Sequence, residues 1–333
     1  MGKHHHTAVL EAPHTVHPCL RGRDLLTLDD LGPQGLRYVL DLTARLKRDP
    51  SAFRDQLAGG RIGMIFDKPS TRTRVSFESA AWTLGLLPIV LRPDELQLGR
   101  GETVADTARA LSLYVDAITI RTFAQRSVEE LAAAASVPII NALTNEHHPC
   151  QAIADVMTLE EEFGTLAGVR LAFIGDGDNV CTSLIEAAML AGFELRIATP
   201  VGYEPPKEVL ERAARRSGVM GGSVVVTHDP REAVAGADAV YADVWTSMGE
   251  EVERDVRRRA FAGFTVDREL MRHASMAAVF LHCLPAHRGE EVTDEVIDSP
   301  ASRVWPQAHN RLYTETALLS AVLDRDAEPA LPR

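Results

Sequence analysis

Cysteine is scarce in this chain, and the four present are scattered. Cys19, Cys150, Cys181 and Cys283 form no C-x-x-C pair, which argues against structural zinc and against a disulfide framework. Thiol usage of this kind suits a reducing cytoplasm. No apolar run approaches the ~20 residues needed to cross a bilayer, so no membrane association is expected. The N-terminus lacks the apolar stretch of a secretory signal. Positive charge is in deficit, with 35 Lys and Arg against 47 Asp and Glu and a net charge of −12. That balance excludes general nucleic-acid binding. Neither an internal repeat nor a low-complexity tract is present. Residues 1–23, with His4, His5 and His6, read as a flexible leader rather than a metal site.

What is present is an ordinary globular composition, 45% hydrophobic and 25% charged. A length of 333 residues exceeds one ordinary core and implies two domains. From residue 60 onward, strand-like and helix-like segments alternate. Strands are predicted at 62–66, 87–91, 116–121 and 137–141, then at 169–174, 194–199, 223–228, 238–243 and 277–283. Helical patterns between them include 104–114, 127–135, 148–163, 180–191, 206–217 and 231–236. The strands are continuous apolar runs, as buried parallel strands should be. The expected fold is α/β, with two doubly wound domains, each a mainly parallel sheet flanked by helices and linked by interdomain helices. The expected division is 24–147, 148–306 and a last segment, 307–333, whose helix follows Pro306 and returns to the first domain.

The stretch FDKPSTRTRVSFE, residues 66–78, carries the strongest chemical signal. A short apolar run ends at Pro69, and an amphipathic helix follows with Val75, Phe77, Ala80, Ala81 and Leu84 as its apolar positions. Ser70 and Thr71 occupy the helix N-cap region, where hydroxyls and free N–H groups converge. Lys68, Arg72 and Arg74 add fixed positive charge. A helix start of this composition suits phosphate. Arg74 is better read as an i,i+4 partner of Glu78. In an acidic protein, such an anion site must be built locally.

Further motifs lie where strands end. IGDGDNV, at 174–180, lacks the third glycine of a dinucleotide loop, because Val180 stands there, and its two aspartates would repel a pyrophosphate. Asn179 remains a polar contact candidate at a strand end. In HPCQ, His148 and Gln151 lie at i,i+3 at a helix start opened by Pro149, so both should face the same space. DVWTSMG offers Asp243, Ser247 and the Met248 backbone, a set suited to a zwitterion. HCLP ends another strand. His282 and Cys283 are adjacent and should point to opposite faces, so a Cys–His dyad is not expected.

Taken in order, STRTR (70–74), HPCQ (148–151), DVWTSMG (243–249) and HCLP (282–285) closely resemble the aspartate/ornithine carbamoyltransferase family, over roughly residues 24–323. SMG and HCLP are similar to its ornithine branch. The resemblance implies transfer of a carbamoyl group from carbamoyl phosphate to L-ornithine, giving L-citrulline and phosphate, without metal or cofactor. It implies that Ser70, Thr71, Arg72 and Thr73 hold the phosphate. Arg121, His148 and Thr73 would polarise the carbonyl, and Gln151 with the Leu284 carbonyl would bind the carbamoyl NH2. Arg311 would complete that site, and Gln97 resembles a residue lent by a neighbouring subunit of a trimer or multiple of trimers. Asn179, Asp243, Ser247 and Met248 would take the amino-acid end of ornithine, while Asp243 and Cys283 orient its δ-amine. Residues 24–147 would then bind the donor and 148–306 the acceptor. The alternatives are transfer to another amine such as putrescine, or a non-catalytic regulatory homologue. The direction of the reaction in the cell is left open.

Overall fold

In the computed structural model of the chain, residues 20–92, 96, 101–247 and 251–324 are described. The first half runs α1 (Gly32–Arg48), β1 (Arg61–Phe66), α2 (Thr71–Leu84), β2 (Leu87–Leu91), α3 (Val104–Ser112), β3 (Ala117–Arg121), α4 (Gln125–Ala134), β4 (Ile139–Leu143) and α5 (Pro149–Phe163). The second half continues with β5 (Arg170–Ile174), α6 (Asn179–Ala191), β6 (Glu194–Ala198), α7 (Lys207–Arg216), β7 (Ser223–Thr227), α8 (Pro230–Val234) and β8 (Ala239–Ala242). It closes with α9 (Arg254–Ala260), α10 (Arg268–Met271), β9 (Val279–His282), α11 (Asp294–Ile297) and α12 (Val304–Val322).

The strands form two parallel sheets, ordered β2-β1-β3-β4 and β7-β6-β5-β8-β9. Strands β3, β4, β8 and β9 are buried along their whole length, although β4 and β9 end their sheets. That explains their mostly apolar sequences, broken only by Thr119, Arg121, Asn141 and His282. Each sheet also reverses its winding once. The chain moves from β1 out to β2 and returns to place β3 on the other side of β1; in the second sheet it turns back between β5 and β8. At such a switch point the two flanking helices leave in opposite directions, opening a crevice at the carboxyl ends of the strands.

Local chemistry sets the helix ends. Ser70 caps α2, its hydroxyl accepting from the Thr73 N–H at 3.3 Å, and Gly85 ends the helix at φ 76°. Thr71 is the first helical residue rather than a second cap. Phe77, Ala80, Ala81 and Leu84 face the core, but Val75 is 55% exposed and lies off the apolar stripe assigned to it. Pro149 opens α5, where its missing N–H costs no helical bond.

Two further differences from expectation have clear causes. Helix α1 precedes the alternating rhythm and went unanticipated; it buries Leu36, Val39, Leu40 and Leu46, and α12 packs against it. Helix α12 begins at Val304 rather than after Pro306. A proline in the first helical turn loses no intrahelical bond, so Pro306 is accommodated there. From that start α12 packs along α5 and α2, and the buried apolar cluster runs continuously from Leu20 to Val322.

Candidate active site

A cavity of about 450 Å³ opens where the carboxyl ends of both sheets meet. Its walls come from the segment after β1 (Lys68 to Thr73), Arg121 at the end of β3 and His148 before α5. The second sheet supplies Asn179 after β5, Asp243 to Ser247 after β8, and Cys283 to Pro285 after β9. Arg311 reaches it from α12.

One side is strongly cationic. Arg121 Nη1 and Arg311 Nη2 each donate to Thr73 Oγ1 at 3.4 Å. With its lone pairs so engaged, that hydroxyl has its own hydrogen to give to an oxygen in the cavity. Burial, then the charges of Arg311 and Arg72, push the Arg121 guanidinium down to about 10. Burial and Arg311 also lower Arg72, against the raising influence of Cys283. For Arg311 burial again acts downward, but Glu315, Cys150 and Asp155 together outweigh it and the net shift is upward. Glu315 Oε1 accepts from Arg311 Nε at 2.9 Å and Nη2 at 2.6 Å. Three guanidinium groups around the first turn of α2 make a site for an anion with several oxygens. Lys68 adds a buried ammonium that bonds Asn145 and stacks over the Phe123 ring.

The opposite side carries a carboxylate and a thiol. Cys283 donates to Asp243 Oδ1 at 2.9 Å, and the Val244 N–H donates to the same oxygen at 2.8 Å. Burial raises the Asp243 carboxyl. Burial and then the Asp243 charge raise the Cys283 thiol well above its ordinary value. The thiol is therefore protonated at neutral pH and unsuited to nucleophilic attack. His282 cannot serve as its base, because both ring nitrogens are engaged: Nδ1 accepts from the Leu284 N–H at 2.9 Å and Nε2 faces Glu291 Oε1 at 3.1 Å. Leu284 adopts φ 59°, and the peptide joining it to Pro285 is cis.

The loops of the second sheet brace one another. Ser247 donates to Asp178 Oδ2 at 2.7 Å, and Asp176 pairs with Arg257. Arg257 also donates to the Trp245 carbonyl at 3.1 Å. Gly177 is needed for packing: a Cβ there would lie 2.3 Å from the Pro205 nitrogen. The IGDGDNV loop is thus explained without a dinucleotide.

Of the residues expected from the sequence, Ser70, Thr71, Arg72, Thr73, Arg121, His148, Asn179, Asp243, Ser247, Cys283, Leu284 and Arg311 all line the cavity. Asn179 also donates to the Thr144 carbonyl at 2.5 Å. Gln151 does not share the wall with His148 but lies one layer behind. There its carbonyl accepts from Arg311 Nη1 at 2.8 Å and its NH2 donates to Asp155 Oδ1 at 2.7 Å. An i,i+3 spacing sets a common face and not a common depth. Gln97 and Met248 lie outside the described residues. Arg74 bonds Glu78 at 2.8 Å, as the spacing implied. Sequence reasoning missed Arg254 and His287, which also line the cavity. Arg254 belongs to no motif; His287 stands two residues after HCLP, and that nearness was the available signal. Among the described residues, two groups could reach a common ion, Asp243 with His282 and Cys283, and His287 with Glu290 and Glu291. Asp243, His282 and Cys283 are committed to the bonds above; in the second group Glu290 bonds Arg254 at 2.7 Å and the His287 ring faces Glu291 at 3.9 Å.

Comparison with known proteins gives a consistent result. Residues 23–161 match the family model "Aspartate/ornithine carbamoyltransferase, carbamoyl-P binding domain", and residues 167–322 match its "Asp/Orn binding domain". The ornithine carbamoyltransferase of Acidothermus cellulolyticus is 51% identical over 93% of this chain and 99% of its own. That of Pyrococcus furiosus, named "Ornithine carbamoyltransferase, anabolic", is 49% identical over 91% of this chain and 96% of its own. A solved structure of ornithine carbamoyltransferase from Pyrococcus furiosus superposes with a TM-score of 0.89 at 47% identity, covering 93% of this chain and 100% of that one.

The cationic wall has a measurable consequence at His148. Burial, reinforced by Arg311, Arg121 and Arg72, holds this imidazole well below its ordinary 6.5. The unfolded chain would take up the proton near 6.5 and the folded chain would not. The contribution of this group to stability is therefore full above that pH and declines as pH falls below it. An NMR titration should find the His148 ring still neutral at about pH 6. A ring titrating at or above its ordinary value would contradict the electrostatic account.

Proposed function

Because the chain belongs to the aspartate/ornithine carbamoyltransferase family, we propose that it transfers the carbamoyl group of carbamoyl phosphate to the δ-amine of L-ornithine, releasing L-citrulline and phosphate. The observation that carries the proposal is one cavity in which three guanidinium groups and a helix start face a carboxylate–thiol pair. The cationic wall suits a doubly charged phosphate, and Asp243 suits an amine. The matched domains, 23–161 and 167–322, support a donor half followed by an acceptor half; our division is 24–147 and 148–306, with α12 packed back against α1 and α2.

The chemistry follows from the groups present. Ser70, Thr71, Arg72 and Thr73 hold the phosphate, with Arg121 and Arg311 completing its charge shell. Neutral His148 and Arg121 donate to the carbamoyl oxygen, where negative charge grows as the amine attacks. One such preorganised donor is typically worth ~3–4 kcal/mol. The Leu284 carbonyl takes the carbamoyl NH2, while Gln151, behind the wall, acts on the site through its bond to Arg311. Asn179 and Ser247, with the Met248 backbone, take the amino-acid end of ornithine. An amine of pKa ~10.4 must lose its proton to attack, at about 4.6 kcal/mol at pH 7. Desolvation in the cavity offsets part of that, and Asp243 with the Cys283 thiol orients the neutral amine toward the carbonyl. The raised thiol supports direct attack without a covalent enzyme intermediate.

The name of the Pyrococcus furiosus relative supports the biosynthetic direction, toward arginine. Free thiols at Cys150, Cys181 and Cys283 support a reducing compartment such as the cytoplasm. Among the described residues, no helix is long and apolar enough to cross a membrane. A homotrimer, or a multiple of trimers, is what the family resemblance implies, and association as such is supported by exposed apolar side chains that include Val75, Trp82, Leu87, Leu113 and Tyr114. Gln97, the residue expected to be lent by a neighbour, lies outside the described residues.

Citrulline formation from carbamoyl phosphate should be fastest with ornithine when aspartate, putrescine and acetylornithine are compared. Preference for any of the other three would overturn the acceptor assignment. Arg72→Ala should lower kcat/KM by about 10²-fold or more, with circular dichroism unchanged. Near-normal turnover in that variant would remove Arg72 from the phosphate site. Light scattering should give a multiple of three times the 36.3 kDa chain, and a monomeric mass would refute the trimer.

A further inference from the structure

Behind the cavity, three elements meet at a buried carboxylate that the proposed chemistry does not use. Asp155, on α5, is fully buried. Its Oδ1 accepts from the Gln151 amide nitrogen at 2.7 Å and from the Gln307 amide nitrogen, on α12, at 2.6 Å. Its Oδ2 accepts from the Tyr241 hydroxyl, on β8, at 3.3 Å. An oxygen that only accepts obliges both glutamines to turn their NH2 groups toward it and their carbonyls away.

Those two carbonyls land on different parts of the site. Gln151 Oε1 accepts from Arg311 Nη1 at 2.8 Å, on the phosphate side. Gln307 Oε1 accepts from the His282 backbone N–H at 2.9 Å, immediately before Cys283. Were either amide rotated by half a turn, its NH2 would confront another donor, and two buried groups would lose their partners.

We propose that Asp155 is a positioning residue: it sets the direction of both amides, and so couples the Arg311 guanidinium to the strand end that carries Cys283. Its bearing on turnover rests on the reaction proposed above. The rival role is purely architectural, a polar knot holding α5, α12 and β8 together. The rivals differ in what substitution does to ligand binding when the fold survives.

Binding of inorganic phosphate to the full chain is measured by calorimetry, with thermal unfolding alongside. Asp155→Asn keeps an acceptor for both glutamines and lets its own NH2 donate to the Tyr241 oxygen, so phosphate affinity should stay within about twofold of the parent. Asp155→Leu, similar in size, removes the acceptor and should weaken phosphate about tenfold. Unchanged affinity in the Leu variant, or equal losses in both, would overturn the proposal. Gln307→Met removes the His282 arm and one donor to Asp155, but leaves the Asp155–Gln151–Arg311 arm in place. Phosphate affinity should hold there, while the KM for ornithine rises about fivefold. If the Leu variant fails to fold, this variant decides: lost phosphate affinity or an unchanged ornithine KM would overturn the coupling. Phosphate binding needs no turnover, so a parent protein that formed no citrulline would refute the functional reading while the calorimetry still judged this one.

Discussion

Three guanidinium groups share one partly buried cavity in a protein of net charge −12, and most of the surrounding structure answers to that constraint. Arg72, Arg121 and Arg311 repel one another, and burial strips them of water. Arg121 and Arg72 accordingly lose some of their hold on the proton. Only Arg311 is raised, because Glu315 lies against it. Anchoring from behind by Glu315, Gln151 and Asp155 keeps the forward faces of the cluster available to an anion. The same field keeps His148 neutral, which suits a donor to a carbonyl oxygen better than it suits an acid.

Topology gives this cluster its counterpart. Each parallel sheet has a switch point, and the segments leaving both switch points bound one cavity. Arginines come from the first sheet and α12, and the Asp243–Cys283 pair comes from the second. Donor and acceptor chemistry are thus divided between two units. The helices that join them, α5 and α12, carry Gln151, Asp155, Gln307 and Arg311, so the junction itself takes part in the site.

Much of the fold was legible because burial on both sides leaves an unmistakable pattern. The nine predicted strands all exist, with ends displaced by no more than two residues, since short apolar runs such as those of β8 and β9 have few other uses. Helix α1 was missed because it lies before the alternating rhythm and opens with Gly-Pro-Gln-Gly, a poor helical signature. Val75 was misassigned because an apolar residue on a helix can face another surface than the chain's own core. In the site, residues at strand ends were readable, and residues at depth were not. Gln151 was expected beside His148 on the wall, and it lies behind it, bonded to Arg311 and Asp155.

By itself, the sequence determined the alternation of strand and helix, the capped and cationic start of α2, and the membership of a family through four short motifs. Each depends on local spacing, which the chain carries in one dimension. Tertiary structure decided the rest. It set Gln151 behind His148, drew Arg311 from α12 to Thr73 across more than two hundred residues of chain, and made Asp155 the acceptor for two glutamines. No local pattern encodes those facts, because hydrogen-bond direction, depth and charge repulsion exist only once distant elements are packed together.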